Sequence, residues 1–390
     1  MNLRIVHTAD WHLSNRQTIA GRFILQDGMN LTLIDRIKAL EKICSYVEDE
    51  GIDLVVISGD IFDTSNPEAV AIKVAIQTIE RLAAVAPVVI CSGNHDWKGG
   101  VAGALAPFGN IARRNGIYVF EQSEVFPLII KDTKVQVFTL PYPRRSDFKQ
   151  DLQLKSASPE EVSTYISRRM EETLLEFSSK INRDMVNILV GHFTAGQGSY
   201  SKEQNAPIFD VIVREAFLEP FDLTCLGHLH LPQPYYSGSI ARNGFGEQDM
   251  KVGFKTYTLA MGSSGKKICD IDEQFIELPA REYITLSPEE VLNNVSFNPG
   301  AAVRIKGKVP RHQYDELVRK MKALNHPFLK NALEVEMDTA GSNGSQDISG
   351  EPDVEAALRM WAKGRDGIDK FIDRLVVKGK EIETKMTELG

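Results

Sequence analysis

Five short apolar runs in this chain each lead, through glycine or a small residue, into Asp, Asn or His, and few folds satisfy all five at once. LRIVHTADWH delivers Asp10 and His12, and DLVVISGDIFD (residues 53–63) delivers Asp60 and Asp63. PVVICSGNHD delivers Asn94, His95 and Asp96, NILVGHF delivers His192, and LTCLGHLH delivers His228 and His230. A continuous apolar run closed by a turn residue is the pattern of a strand buried on both faces of a sheet. In open α/β folds, ligands sit beyond the carboxyl ends of such strands. Five of the eight histidines fall directly after these runs, which isolated turn chemistry does not explain. His7, His312 and His326 lack that context and are expected to be structural or at the surface.

The spacing has a chemical reading. In Asp10-Trp11-His12 and His228-Leu229-His230 the polar residues are two apart, so in extended chain they point the same way and reach one metal ion or two adjacent ones. Gly59, Gly93, Gly191 and Gly227 each precede the polar residue, permitting a sharp exit from the strand and close backbone approach. Donors of Asp, His and Asn type without Cys suit borderline or hard divalent ions such as Mn, Fe or Zn. Two such ions facing Asp10 and Asp60 leave net positive charge, which suits a phosphoryl group and the making of hydroxide from water.

The motifs DxH, GDxxD, GNHD, GH and GHxH, in this order, resemble the signature of the calcineurin-like metallophosphoesterase superfamily. Within it, HTADWHL, SGDIFDTSNP, SGNHDW, GHLH and YYSGSIARNGFGEQDMKVGF resemble the SbcD-type nuclease subunits of DNA double-strand-break repair. The resemblance implies two divalent metal ions, Mn2+ foremost. Asp10, His12 and His230 would hold one, Asn94, His192 and His228 the other, and Asp60 would bridge them. His95 would be the catalytic residue that is not a ligand. Some relatives carry His where this chain has Asp63, so no role carries over to that position. A carboxylate near His95 is instead expected to orient its ring and favour its protonated form, a proton donor for the leaving oxygen. The resemblance also implies double-stranded and single-stranded DNA as substrate, an SMC-like coiled-coil ATPase of SbcC type as partner, and a homodimer.

At 390 residues and 43% hydrophobic content the chain can bury a large core and form two or three domains. The four cysteines are far apart, with no CxxC, which argues for reduced thiols in a cytoplasmic protein. MNLRIVHTAD enters a strand at once, leaving no room for a signal peptide, and no apolar run approaches the roughly 20 residues of a membrane helix. The expected compartment is the cytoplasm, nucleoid-associated, or the host cytoplasm for a virus-encoded chain. A net charge of −8 does not exclude a nucleic-acid partner, because counterion release depends on the local count of Lys and Arg facing phosphates.

Along the chain, residues 31–50 and 66–83 read as helices, the second with Pro67 in its first turn and more apolar surface than one stripe, hence a candidate dimer contact. IYVF, VFPLIIK and VQVFTL read as antiparallel strands, residues 159–182 as a helix, and residues 195–205 as a polar loop beside His192. PYYSG, FKTYTLA and ICDID read as the second sheet of a layered β-sandwich flanked by helices, so the expected fold class is α/β (α+β). The nuclease domain is expected to span 1–278 and a small α+β capping domain 279–338. Within 301–330 the cap holds eight basic residues, among them Arg304, Lys306 and Lys308, against Asp315 and Glu316, which favours a DNA-phosphate surface. Residues 339–353 read as a flexible linker and 354–390 as a helix pair needing a partner surface, the expected dock for the ATPase. A metallophosphatase or a cyclic-nucleotide phosphodiesterase would share the metal chemistry, but neither explains the basic cap or the tethered helices. A non-catalytic scaffold would be expected to have lost ligands.

Overall fold

The computed structural model describes residues 2–97, 104–105, 115–144, 148, 157–204, 210–262, 268–336, 355, 359, 372–374 and 376–378. Its first sheet runs Ile268–Glu277, Gly253–Met261, Asn2–Thr8, Leu54–Ser58, Val88–Cys91, Ile117–Phe120, with the last four strands mutually parallel. Its second sheet runs Leu223–Gly227, Val186–His192, Thr133–Leu140, Glu124–Ile130, with the first three parallel.

Alternation along each strand builds the layers. Leu3, Ile5, Leu54, Val56 and Val89 of the first sheet meet Val135, Val137, Ile188, Val190 and Cys225 of the second in one apolar cluster between the sheets. The intervening Val6, Val55, Ile57, Val88 and Ile90 pack on Leu33, Leu40, Ile43, Ala75 and Ile79 of the helices Leu31–Asp49 and Ala69–Ala83. Behind the second sheet, Phe138 and Leu189 meet Ile166, Met170, Leu174 and Phe177 of the helix Pro159–Ser179, which begins with a Ser158/Glu161 capping box. The central strands are thus buried on both faces, which is why they read as unbroken apolar runs. Each such Val, Ile or Leu contributes about 1.5–3 kcal/mol. The α/β layered class expected from the sequence is the one observed.

Three local expectations are corrected. IYVF does not join the hairpin after it: Ile117–Phe120 pairs in parallel with Val88–Cys91, and the chain then crosses to the second sheet. Gly253–Met261 and Ile268–Glu277 extend the first sheet beside Asn2–Thr8 and are not part of the second, while in the PYYSG stretch Tyr236 makes isolated bridges to Leu226 of the second sheet and to Gln233. An apolar run states that it is buried, not which neighbour it pairs with. The second helix starts at Ala69, beyond Pro67, because Glu68 stays extended and its carboxylate accepts the Asn15 N–H at 3.0 Å and holds Arg16 Nε at 2.6 Å.

The chain divides into two compact units, one of residues 1–306 and 324–332, the other of 307–323 and 333–390. In the first, Tyr283–Leu286 pairs in parallel with the start of the strand Ala302–Pro310. The second holds the helix Arg311–Leu324 except its last residue, with Arg311 over the Tyr314 ring. In the same unit Glu355, Arg359, Ile372–Arg374 and Val376–Lys378 are helical, and Arg359 Nη2 donates to Asp373 Oδ1 at 3.1 Å. The linker 339–353 and most of the apolar stripes of the helix pair, including Trp361 and Phe371, lie outside the described residues. Among the described residues no helix is long and apolar enough to cross a membrane.

Candidate metal centre

The carboxyl ends of five strands, three from the first sheet and two from the second, meet at one place. The backbone there is unusual: Asp10 (φ 54°), His12 (φ 47°), Asp60 (φ 53°) and His228 (φ 94°) all lie in the left-handed region that non-glycine residues seldom adopt. Main-chain bonds hold these turns, Asp10 N–H to the Gly59 carbonyl and His12 N–H to the Asp60 carbonyl, both at 3.0 Å. Two glycines are required by proximity. A Cβ at Gly93 would collide with the Asp60 carboxylate, and one at Gly227 with the Ser58 carbonyl. Asp96 serves the loops: it accepts the N–H groups of Phe62 (3.0 Å) and Gly93 (2.9 Å).

All the metal-binding residues expected from sequence come together. His12 Nε2 faces His230 Nε2 at 3.0 Å, and Asp10, His12 and His230 form one group able to hold a cation. On the other side, Asn94 Oδ1 lies 3.0 Å from His192 Nε2 and 3.1 Å from His228 Nδ1. Asp60 stands between, its Oδ2 3.3 Å from His192 Nε2 and 3.9 Å from His12 Nε2. Asp60 also completes groups with His12 and His95 and with Asp10 and His192. Asp10 Oδ2 is buried without a hydrogen-bond partner, and two ring nitrogens face each other nearby, which is the condition a cation relieves. The donor set and its unsatisfied atoms fit divalent ions.

The protein fixes which ring nitrogen is presented. Ser58 carbonyl accepts from His192 Nδ1 at 2.7 Å, so Nε2 is turned to the cluster. His95 Nδ1 lies 2.6 Å from the Asp63 main-chain oxygen, which leaves Nε2 toward the open side, 4.0 Å from Asp60 Oδ2. This shifts the part expected of Asp63. Its carbonyl, not its carboxylate, orients His95, and the carboxylate Oδ1 faces His12 Nδ1 at 3.6 Å.

Burial raises the Asp10 carboxyl above the usual range. Burial, then His230, hold His12 well below the ordinary imidazole value. For Asp60 burial opposes ionisation, but His192 and His95 outweigh it and its carboxyl stays far below the usual range. The converse holds for His192: burial opposes its charge, yet Asp60 pushes it up to about 9. His95 is likewise raised, against burial, by Asp60 and by the Asp63 carbonyl. An ionised Asp60 at the centre thus draws positive charge to itself, proton or cation.

A cavity of about 390 Å³ opens over the cluster, lined by His12, Asp60, Asn94, His95, His228 and His230 and also by Tyr200, Gln204, Asn243 and Glu247. The last four were not singled out from sequence. Gln204 lies in the polar loop expected beside His192 and clamps the late GHLH turn, accepting the His230 N–H at 3.0 Å and donating to the His228 carbonyl at 2.7 Å. Asn243 and Glu247 fall in the NGFGEQ stretch, whose only sequence signal was its likeness to relatives. Tyr142, also missed, sets its ring 5.4 Å from that of His228.

Residues 3–232 match the family model described as calcineurin-like phosphoesterase. The chain is 31% identical over 292 residues to the D subunit of the nuclease SbcCD of Staphylococcus epidermidis, covering 72% of this chain and 71% of that protein. Among solved structures it is similar to the NAD nucleotidase NadN of Haemophilus influenzae, with TM-score 0.35, 14% identity, and 96% of this chain and 61% of that one covered. It is also similar to TT1561 of Thermus thermophilus, with TM-score 0.32, 12% identity, and 70% and 99% covered. On the family match and the sequence identity, the chain belongs to the calcineurin-like phosphoesterase family, as a metal-dependent phosphodiester hydrolase of the SbcD type.

Proposed function

We propose that the chain is a Mn2+-dependent DNA nuclease subunit that hydrolyses phosphodiester bonds at double-strand ends. The observation that carries this reading is the position of Asp60, one buried carboxylate shared between the Asp10, His12, His230 side and the Asn94, His192, His228 side. In this reading Asp10, His12 and His230 would hold one divalent ion and Asn94, His192 and His228 another, with Asp60 standing between the two groups. Such a pair of ions, when bound, supplies positive charge for the phosphoryl group and lowers the pKa of the attacking water. His95 holds a proton at Nε2 on the open side of the cavity and passes it to the departing oxygen, while the Asp63 carbonyl keeps the ring in place through Nδ1. Asp63 itself acts through position, not as a base.

DNA as the substrate is supported by the identity to a nuclease subunit and by the exposed Lys306 and Lys308 of the proposed capping segment 279–338. Arg304, of the same basic run, is engaged otherwise: its Nη2 donates to Thr285 Oγ1 at 2.9 Å and its guanidinium lies 4.7 Å from the Phe245 ring centre. The name of the staphylococcal relative makes it one part of a larger nuclease, which supports action with a second subunit. The proposed partner is an SMC-like ATPase gripping the helices within 354–390. The half-buried Val70 and Val74 of the helix Ala69–Ala83 are the proposed homodimer contact.

The test is cleavage of labelled duplex DNA, beside bis-p-nitrophenyl phosphate and p-nitrophenyl phosphate, in Mn2+. Wild type is expected to cut DNA and the diester, and Asp60→Asn to lose most activity on both. Cleavage of the monoester alone would point to a phosphatase.

A further inference from the structure

Glu247 is a charged residue that is 1% exposed, on a turn 17 residues beyond His230. Its Oε1 accepts from Ser201 Oγ at 2.7 Å and lies 2.9 Å from His230 Nδ1, and its Oε2 accepts the Asn243 main-chain N–H at 2.7 Å. The turn is held against the chain at Glu203, whose Oε2 accepts the Gly246 N–H at 2.7 Å. A Cβ at Gly246 would strike the Glu203 backbone.

His230 Nδ1 has a second neighbour with the opposite demand. Asn243 Nδ2 lies 3.1 Å from it. Arg36 Nη2 donates to Asn243 Oδ1 at 2.5 Å, so the amide turns its NH2 toward the ring. Arg36 is itself fixed, donating from Nε to the Trp11 carbonyl at 2.9 Å. An amide NH2 only donates and an ionised carboxylate only accepts. If the amide prevailed, Nδ1 would carry the lone pair, and Nε2–H would point at His12 Nε2, 3.0 Å away, closing that side to a cation. If the carboxylate prevails, Nδ1 carries the hydrogen and Nε2 offers its lone pair. The carboxylate is both nearer and charged, and charge-assisted bonds are the stronger.

We infer that Glu247 is a positioning residue that locks His230 in the Nδ1–H tautomer and thereby sets metal occupancy on the Asp10, His12, His230 side alone. The inference rests on the reading of this cluster as a metal centre. It separates charge from shape. Glu247→Gln keeps the size, but its carbonyl is claimed by the Asn243 N–H, so its NH2 faces His230 and reverses the tautomer.

Two measurements on the full chain test this. Long-range 15N correlation spectra of metal-free, histidine-labelled protein report the tautomer, with the His230 signal assigned by its loss in His230→Gln. Calorimetric titration with Mn2+ reports affinity and stoichiometry. Wild type is expected to show Nδ1–H at His230 and two Mn2+ sites. Glu247→Gln is expected to show Nε2–H and one site weakened about 10–100-fold, with the other unchanged. Asn243→Ala, which removes the opposing donor, is expected to keep Nδ1–H and both sites. Nε2–H in the wild type overturns the inference whether or not Glu247→Gln folds. Two wild-type sites in a folded Glu247→Gln overturn it as well. Wild-type protein that binds no Mn2+ would instead sink the metal-centre reading, and the inference with it.

Discussion

His12 and His230 face each other through Nε2 atoms 3.0 Å apart, with both rings buried. Two lone pairs at that distance repel unless a proton or a cation lies between them. Protein stripped of metal is therefore expected to melt lower, and Mn2+ to raise Tm. At free Mn2+ of about 100 times Kd, each site adds about 2.7 kcal/mol. Scanning fluorimetry of chelator-treated protein titrated with Mn2+ checks this, and an unmoved Tm would contradict it.

His95 touches the cavity through Nε2 and the Asp63 carbonyl through Nδ1, and the two proposed ligand groups are complete without it. His95→Ala is expected to bind two Mn2+ ions and to lower kcat on DNA by roughly 10²–10⁴. Metal content and single-turnover rates together decide. A lost ion would make His95 a ligand.

Lys306 and Lys308 are exposed, whereas Arg304 is occupied with Thr285 and Phe245. Lys306→Gln with Lys308→Gln is expected to weaken duplex binding and to flatten its salt dependence by up to about 2 in the slope of log K against log salt. Arg304→Gln is expected to leave that slope unchanged. It should instead destabilise by about 0.5–2 kcal/mol through the lost cation–π contact, measured by urea unfolding.

His7 is buried, and burial, followed by the charge of Lys255, lowers its pKa from 6.5 to about 3. Between those values the unfolded chain binds more protons than the folded one, so stability rises with pH across that window. The contribution is fully present above about 6.5 and is lost as pH falls toward 3. His7→Phe, beside the Tyr257 ring, is expected to flatten the unfolding free energy over this range. An unchanged pH profile would show that His7 does not set it.

The five strand ends were legible because each carries its own evidence: an apolar run buried on both faces, a glycine (Ala9 at the first of them), and a donor. Pairing was not legible. Ile117–Phe120 and Gly253–Met261 are apolar segments whose sheet is chosen by chain crossings that leave no local trace. Arg304, Lys306 and Lys308 alternate along one strand and read alike, yet only Arg304 meets an aromatic ring and a threonine from elsewhere in the chain. Asp63 shows a finer limit: its position was readable, but which of its oxygens faces His95 is a matter of backbone direction. Glu247 was hidden because a carboxylate in a glycine-rich turn ordinarily means solvent.

His12 and His230 are 218 residues apart, and the cluster draws Asp60 and Asn94 from one sheet and His192 and His228 from the other. No single strand end supplies more than two of the seven proposed ligands. Because contacts this distant in sequence form only after long loops close, the proposed ligands can meet only once both sheets are in place. A newly made chain is therefore inert until both sheets have docked, and hydrolytic power arrives together with the finished tertiary structure.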